Sequence, residues 1–364
     1  MRSLLTTALL AMASINTAIA DAQLTAAPAD LQRLLDSGRC PKCNLAGADL
    51  SGMRLMSTDL SSADLRGANL RKTILFRGNL SGADLRGADL EKASLGRIDL
   101  SGANLTGLDL RGARLAYSNL RNARLGGSNL SDSMLEHADL RGADLNGSRL
   151  EGAAMRNAKL SGAILDGADL SGADLRALDL RQVGGVRNAD FSRARLERAR
   201  LDALDLSNAR FSEAQMADSS LEAASLKGAL MARASLRKAD ISKADLTGAD
   251  LQGANLKGAK LRAAILRSAN LQQALIGGNL VAADFSNARL AKADLSGANL
   301  KDARFGGADL RQANFSSCNL YAADFRGSKL GGANFRGANL RNALFTDADR
   351  NEALFDDPLD RPRQ

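Results

Sequence analysis

An apolar residue occupies every fifth position along most of this chain. From Leu45 the series runs unbroken to Leu180, usually with Ala two residues before the apolar residue and Asp or Asn one residue before it. Gly often stands two residues after it, so the unit is Ala-(Asp/Asn)-Leu-x-Gly, as in the segment from Ala48 to Gly52. A short period sustained over this length predicts an architecture made by stacking one kind of unit.

A spacing of five does not suit an α-helix. Five residues turn a helix through about 500°, so successive apolar residues would lie about 140° apart and form no common stripe. An extended chain places Ala and the apolar residue on one side and Asp or Asn on the other. Because five is odd, a turn must restore the same side in each unit, and the x-Gly pair fits that turn, since Gly tolerates positive φ. The pattern predicts a coiled β-solenoid with Leu and Ala inside.

Runs such as Leu60-Ser-Ser-Ala-Asp-Leu65-Arg-Gly-Ala-Asn-Leu70 resemble the pentapeptide-repeat family. The resemblance covers about residues 40–355 and implies an all-β fold, a right-handed quadrilateral β-helix with four faces per coil. Four faces of five residues make a coil of twenty. About fifteen coils, stacked about 4.8 Å apart, would make a solenoid about 70 Å long.

The phenylalanines independently support a coil of twenty. Nine of the ten occupy the central apolar position, and only Phe76 does not. We expect their rings to stack in three columns with a sequence spacing of twenty: Phe285, Phe305, Phe325 and Phe345; Phe315, Phe335 and Phe355; Phe191 and Phe211.

The repeat slips twice. Residues 181–186 hold one residue more than the pattern requires, and residues 276–280 hold one fewer, so the original phase returns at Leu280. Paired glycines at both places predict a local bulge or a tightened corner. A bend or loop with a function is the alternative interpretation.

The first twenty residues have the composition of a secretory signal peptide. A basic start at Arg2 and an apolar run from Leu4 to Ala13 precede the small residues Ala18-Ile19-Ala20. No later segment approaches about 18 apolar residues, so we predict no membrane span. The mature chain is therefore expected in the periplasm of a bacterium or outside the cell.

The segments flanking the repeat are predicted to protect its ends, because an open edge of a stack of strands promotes aggregation. Residues 21–39 predict a linker and a short helix over Pro28–Asp36, with Leu31, Leu34 and Leu35 covering the first coil. Residues 356–364 are charged and contain proline, and predict a tail that ends the coil.

The composition argues against an enzyme. Aromatic residues are 3% of the chain, there is no Trp, and the single His, His137, falls on an outward corner. A narrow interior of Leu and Ala leaves no room for a pocket. We predict no catalytic residues, no cofactor and no metal site.

Cys40 and Cys43 form the most distinctive short motif, Cys-Pro-Lys-Cys, and both should point inward in the first coil. A structural disulfide is favoured by export. A redox or metal site is the alternative, but no second cysteine pair is available to complete a zinc site.

Positive charge is concentrated in the middle of the repeat. Residues 186–280 hold 15 Lys and Arg against 10 Asp and Glu. Arginines that could bind phosphate or carboxylate polymers follow the first slip: Arg187, Arg193, Arg195, Arg198, Arg200 and Arg210. An ordinary solvated face is the competing interpretation.

The leading hypothesis for function is a non-enzymatic exported repeat protein that acts as a structural scaffold or protein-interaction rod. The alternative is binding of an anionic cell-envelope polymer through the arginine-rich middle coil. The family resemblance also includes cytoplasmic proteins that protect DNA gyrase by imitating DNA, but that role needs an acidic surface, and this chain has a pI near 9.7. Nucleic acid is a disfavoured partner, since exposed aromatic residues are scarce. A protein, an envelope polymer and a second copy joined end to end are the candidate partners.

Overall fold

The computed structural model describes residues 25–356. The predicted signal peptide and the predicted tail, apart from Asp356, lie outside the described residues. One helix, α1 (Pro28–Ser37), precedes the repeat, and the two longest strands are β1 (Asn255–Lys260) and β2 (Leu275–Asn279). Within residues 25–356 no helix has the length and apolar character needed to cross a membrane.

The rest of the repeat is joined by single-residue parallel bridges, nearly all between positions that differ by twenty in sequence. Four series of bridges run through the molecule, and we name them by their first residues: ladder 1 from Arg39, ladder 2 from Asn44, ladder 3 from Asp49 and ladder 4 from Arg54. Most coils therefore pair with the next at four places. This agrees with the coil length expected from the phenylalanine spacing.

The Asp or Asn of each unit holds the turn that follows it. Asp99 Oδ1 accepts the backbone N–H of Ser101 at 2.9 Å, and Asn79 Oδ1 accepts that of Ser81 at 3.1 Å. The residue after such a turn has positive φ, as at Gly67, but 37 non-glycine residues also have positive φ. Glycine is therefore favoured but not required at most corners, and many corners carry side chains.

The interior is filled as the pattern predicts, and the phenylalanine columns are confirmed. Phe305 and Phe325 stack with their ring centroids 4.9 Å apart, and Phe315 and Phe335 stack at 5.0 Å. The two columns also meet edge to face, with 5.7 Å between the centroids of Phe315 and Phe325. Phe191 and Phe211 stack separately at 5.0 Å.

Helix α1 covers the first coil through a narrow stripe. Leu34 is buried, and Leu31 packs against the core. The expectation for Leu35 was wrong, because its side chain is 54% exposed. Leu35 lies about 100° around the helix from the buried Leu34, on the far side of Leu31, so it falls outside the stripe that meets the coil.

Both register slips are confirmed as local irregularities. Ile164 pairs with Gly185, one position beyond the usual spacing, and Ile265 pairs with Asp284, one position short of it. The first slip is absorbed at Gly184, whose N–H donates to Ala163 O at 2.7 Å. The second is absorbed by a bulge between Leu256 and Ala259, where β1 pairs with β2 in parallel.

Four bridges are missing from the ladders between residues 39 and 354. The unbridged pairs are Asp89 and Asp109, Ser94 and Arg114, Lys159 and Asp179, and Gly185 and Asp205.

Three of the missing bridges directly follow a leucine in the Ala position of the unit. These leucines are Leu108, Leu178 and Leu204, and all three are buried. A leucine needs more space than alanine, so it holds its coil away from the coil before it. The coil before Leu204 also carries the first slip, at Gly184. Ile98 occupies the same position without this effect, because the residue one coil earlier is Gly78 and the bridge from Asn79 to Asp99 is kept.

Candidate interaction surfaces

Cys40 and Cys43 are bonded to each other in the structure. Their sulfur atoms are 1.98 Å apart, and both side chains are buried. The disulfide lies against α1, where Cys40 Sγ is 3.0 Å from the carbonyl oxygen of Asp30 and the Arg33 guanidinium contacts Cys43 Sγ. The Asp30 carboxylate also lies within metal-binding reach of both sulfur atoms. Because the two sulfur atoms are bonded to each other, neither offers the thiolate that a metal would need. The disulfide holds the first coil against α1.

The six arginines predicted as a patch are not brought onto one face. Arg187 lies on ladder 2, Arg200 on ladder 1, Arg193 and Arg210 on ladder 3, and Arg195 and Arg198 on ladder 4. Although they are close in sequence, they lie on different ladders, because a single coil visits all four. The six residues share no surface in the structure, and binding of an anionic polymer through them stays a prediction.

Four of these arginines also lie beside aspartates. The nitrogen–oxygen distances are 3.3 Å from Arg187 to Asp205, 3.8 Å from Arg195 to Asp174, 3.7 Å from Arg200 to Asp179 and 3.5 Å from Arg210 to Asp190. Their charge is thus partly neutralised by ladder aspartates.

A second kind of arginine–aspartate pair was missed by the sequence analysis. Wherever Arg occupies the x position after Asp-Leu or Asp-Phe, its guanidinium turns back onto that Asp. In one such pair, Arg181 Nε donates to Asp179 Oδ1 at 2.8 Å and Nη2 donates to Oδ2 at 2.6 Å. The eight pairs of this kind are Asp64–Arg66, Asp84–Arg86, Asp109–Arg111, Asp139–Arg141, Asp174–Arg176, Asp179–Arg181, Asp309–Arg311 and Asp324–Arg326. These arginines are partnered within their own units.

The Asp179 pair makes stability depend on pH in a testable way. The side-chain hydrogen bond from Arg181 lowers the pKa of Asp179 from 3.8 to about 2, against the opposing effect of burial. A lowered pKa in the folded state contributes stability above about pH 4, and that contribution disappears as the pH falls through about 2. We expect Asp179→Asn to lower the free energy of unfolding at pH 7 by about 1 kcal/mol or less, because the pair is half exposed. Wild type and variant should then converge near pH 2 in urea unfolding, and a difference that persists there would contradict the assignment.

A surface with unpaired positive charge lies on ladder 4 over the first six coils. We call it the ladder-4 strip, and it consists of residues 54–57, 74–77, 94–97, 114–117, 134–137 and 154–157. It contains five arginines and one acidic residue, Glu136. None of the five forms an ion pair with a residue in the range 25–356: Arg54, Arg77, Arg97, Arg114 and Arg156. The other three ladders carry aspartates through the same coils.

Flat side chains stack along one corner of the strip. The Arg97 guanidinium lies 5.5 Å from the centroid of the Tyr117 ring, and that ring stacks on His137 with 4.6 Å between centroids. Asn157 continues the column, with its amide nitrogen 3.4 Å from His137 Nε2. All four residues occupy corners with positive φ, and Tyr117 is 56% exposed. The corner therefore presents an aromatic and cationic surface to solvent.

Apolar side chains complete the strip. Met56 and Met134 are about half exposed. Phe76, the one phenylalanine outside the core columns, lies over the next coil, where a Cβ on Gly96 would come within 3.3 Å of its ring. Exposed apolar groups beside unpaired arginines are suited to binding a partner that has acidic and apolar side chains together.

The sequence does contain a signal for this strip, but it is visible only when the chain is arranged in coils of twenty. Arg77, Arg97, Tyr117, His137 and Asn157 are then consecutive in one column. In linear order they are separated by aspartates that belong to the other ladders.

Comparisons with known proteins place the chain among repeat proteins. The family model described as pentapeptide repeats (8 copies) matches residues 42–75, 79–115, 113–152, 153–183, 187–216, 214–253 and 244–275, and the model described as pentapeptide repeat region matches 279–355. No match is found among curated proteins.

Similar solved structures include HetL, a pentapeptide repeat protein involved in heterocyst differentiation regulation from the cyanobacterium Nostoc sp. strain PCC 7120. It is 34% identical over 72% of this chain and 92% of its own, with a TM-score of 0.22. Rfr23, from the cyanobacterium Cyanothece 51142, is 33% identical over 29% of this chain and 64% of its own, with a TM-score of 0.19. Full-length QnrB1, a plasmid-mediated fluoroquinolone resistance protein, is 19% identical over 61% of this chain and 92% of its own, with a TM-score of 0.18. On these family models, which together match most of the chain, it belongs to the pentapeptide-repeat family.

Proposed function

We propose that this protein is a non-enzymatic, exported interaction rod whose ladder-4 strip binds an acidic partner protein. In this proposal the coils form a right-handed, four-sided solenoid, and the signal-peptide pattern in residues 1–20 directs its export. The observation that carries the proposal is the set of five unpaired arginines beside exposed methionines and a stacked tyrosine. Elsewhere, many arginines are held by aspartates of the same or a neighbouring unit.

The proposed partner follows from the chemistry of the strip. Carboxylates of the partner would pair with Arg77, Arg97 and Arg114, and its apolar side chains would cover Met56 and Met134. A guanidinium stacked on an aromatic ring keeps its hydrogen-bond donors free at the edge for a carboxylate. Steering by unpaired positive charge would make association faster at low ionic strength.

The test is affinity capture from the periplasmic fraction with wild-type protein and the double variant Arg77→Glu/Arg97→Glu. We expect captured acidic proteins to be lost at least about tenfold with the variant, and to elute from wild type as salt is raised. The matched control is Arg66→Glu/Arg86→Glu, which changes the net charge equally at arginines already paired with Asp64 and Asp84.

Equal capture by wild type and the strip variant would refute the strip as the binding surface. Absence of the protein itself from both the periplasmic fraction and the culture medium would refute export. Loss of capture by the control variant to the same degree would mean that total charge, rather than the strip, determines binding.

A further inference from the structure

The two adjacent missing bridges, on ladders 3 and 4, leave an opening between neighbouring coils. One coil earlier, the N–H groups of Leu70, Lys72 and Leu75 donate to carbonyl oxygens at 2.8, 2.8 and 3.0 Å. The corresponding groups of Leu90, Lys92 and Leu95 have no backbone acceptor among the described residues. Facing them, the carbonyl oxygens of Asp109, Arg111 and Arg114 have no backbone donor there either.

The opening is confined to one side of the stack. On ladder 1 the bridge from Asp99 to Asn119 is present, and on ladder 2 the bridge from Asn104 to Arg124 is present. The coils therefore stay joined along two ladders and part along the other two. Pairing resumes one coil later, where the N–H of Leu110 donates to Asn129 O at 2.7 Å.

A cleft of about 670 Å³ occupies the opening, within the range of about 300–1,000 Å³ typical of ligand sites. Its floor is apolar, with Ala88, Leu90, Ala93 and Leu110. The charged groups at its rim already pair with one another: Arg71 with Asp89 at 3.0 Å and with Glu91, and Arg111 with Asp109 at 2.7 Å. The unpaired chemistry inside the cleft is therefore backbone donors and acceptors above an apolar floor.

We propose that this cleft binds a short extended peptide segment between the two coils. On ladder 3 the peptide backbone would pair with the N–H of Leu90 and the C=O of Ala88 on one side. It would pair with the N–H and C=O of Asp109 on the other side, as a strand does when it adds to an exposed sheet edge. An apolar side chain of the peptide would rest on Leu90 and Leu110. This pairing on ladder 3 uses no side chain of the strip's arginines, so it is distinct from the proposed binding of an acidic partner.

Leu108 creates this site. It stands in the Ala position one coil after Ala88, and the unbridged Asp109 follows it. The equivalent position one coil later holds Ser128, and there the bridge from Asp109 to Asn129 is intact. Leu108→Ser should therefore close the opening, and Leu108→Ala serves as a second closing variant.

Hydrogen–deuterium exchange followed by mass spectrometry tests the opening itself. In wild type, the unpaired amides of Leu90, Lys92 and Leu95 in the fragment 87–96 should exchange at least about 100-fold faster than the hydrogen-bonded amides of Leu70, Lys72 and Leu75 in the matched fragment 67–76, because hydrogen-bonded amides exchange only on opening. In Leu108→Ser the two fragments should become similar. Equal protection of the two fragments in wild type would overturn the proposal.

Peptide binding is tested with a phage-displayed library of random twelve-residue peptides, selected on wild type and counter-selected on Leu108→Ser. We expect apolar-containing peptides that bind wild type at least about tenfold more tightly than either closing variant and that slow exchange in fragment 87–96. Peptides that bind all three proteins equally, or no enriched peptide, would overturn it. Arg77→Glu/Arg97→Glu should keep this binding, so failure of the strip and failure of the cleft give different results.

Discussion

Phe325→Ala should lower the free energy of unfolding of the carboxy-terminal coils by about 3–5 kcal/mol. Phe325 is fully buried and contacts four other rings: it stacks on Phe305 and Phe345 and meets Phe315 and Phe335 edge to face. Removing it leaves a cavity between coils that remain separated by their neighbouring rings. In a repeat protein each coil is stabilised by its neighbours, so the loss should be concentrated in the last coils.

Urea unfolding monitored by circular dichroism, together with hydrogen exchange of residues 300–350, measures this effect. Phe325→Leu is the matched control, because Leu occupies the same central position at Leu310 and Leu330 and is also buried there. We expect the control to lower the free energy of unfolding by about 1.5 kcal/mol or less. A Phe325→Ala variant as stable as the control would contradict the expected cost of the cavity, and a control as stable as wild type would show that the ring columns add nothing beyond an apolar core.

Gly278→Ala should lower the free energy of unfolding of the coils at the second register slip by about 3 kcal/mol. Gly278 has φ of +108°, and a Cβ there would lie 2.3 Å from the carbonyl oxygen of Ala259 and 2.9 Å from the carbonyl carbon of Gly258. The obstructing atoms belong to the backbone of β1, so no side-chain rotation can relieve the contact. The unit that is one residue shorter at this slip therefore requires glycine at position 278.

Gly297→Ala provides the control for Gly278→Ala. Gly297 is an ordinary corner with φ of +70°, and beyond its two chain neighbours no residue has an atom within 4 Å of the position that an added methyl group would take. Ala282 and Ala322 already occupy such corners, so we expect Gly297→Ala to lower the free energy of unfolding by only about 1–2 kcal/mol. Thermal unfolding of both variants, with hydrogen exchange of β1 and β2, distinguishes them. Similar losses for the two glycines would mean that the slip is not held by close backbone approach.

The comparison of Leu108 with Ile98 shows why the openings in the ladders were not predicted. Both are large residues in the Ala position, and the five-residue pattern treats them alike. Their effect depends on the residue one coil earlier, which is Ala88 for Leu108 and Gly78 for Ile98. That residue is a full coil away in sequence and becomes a neighbour only when the coils stack.

The positions of the arginines likewise depend on which residues become neighbours when the coils stack. Arg187 to Arg210 are close in sequence and were predicted to form a patch, but the coil distributes them over four ladders. The arginines of the ladder-4 strip are scattered along the sequence from Arg54 to Arg156, and come to lie on one ladder.

The sequence by itself determined the length of a coil, the residues that face the core, the stacking of the phenylalanines and both register slips. These features follow from the alternation of an extended chain and from a turn in every unit, which are local properties. The tertiary structure alone decided which exposed side chains are neighbours, which arginines remain unpaired and where the ladders open. Those properties depend on contacts between residues one coil apart, and the five-residue pattern is the same whatever residue lies there.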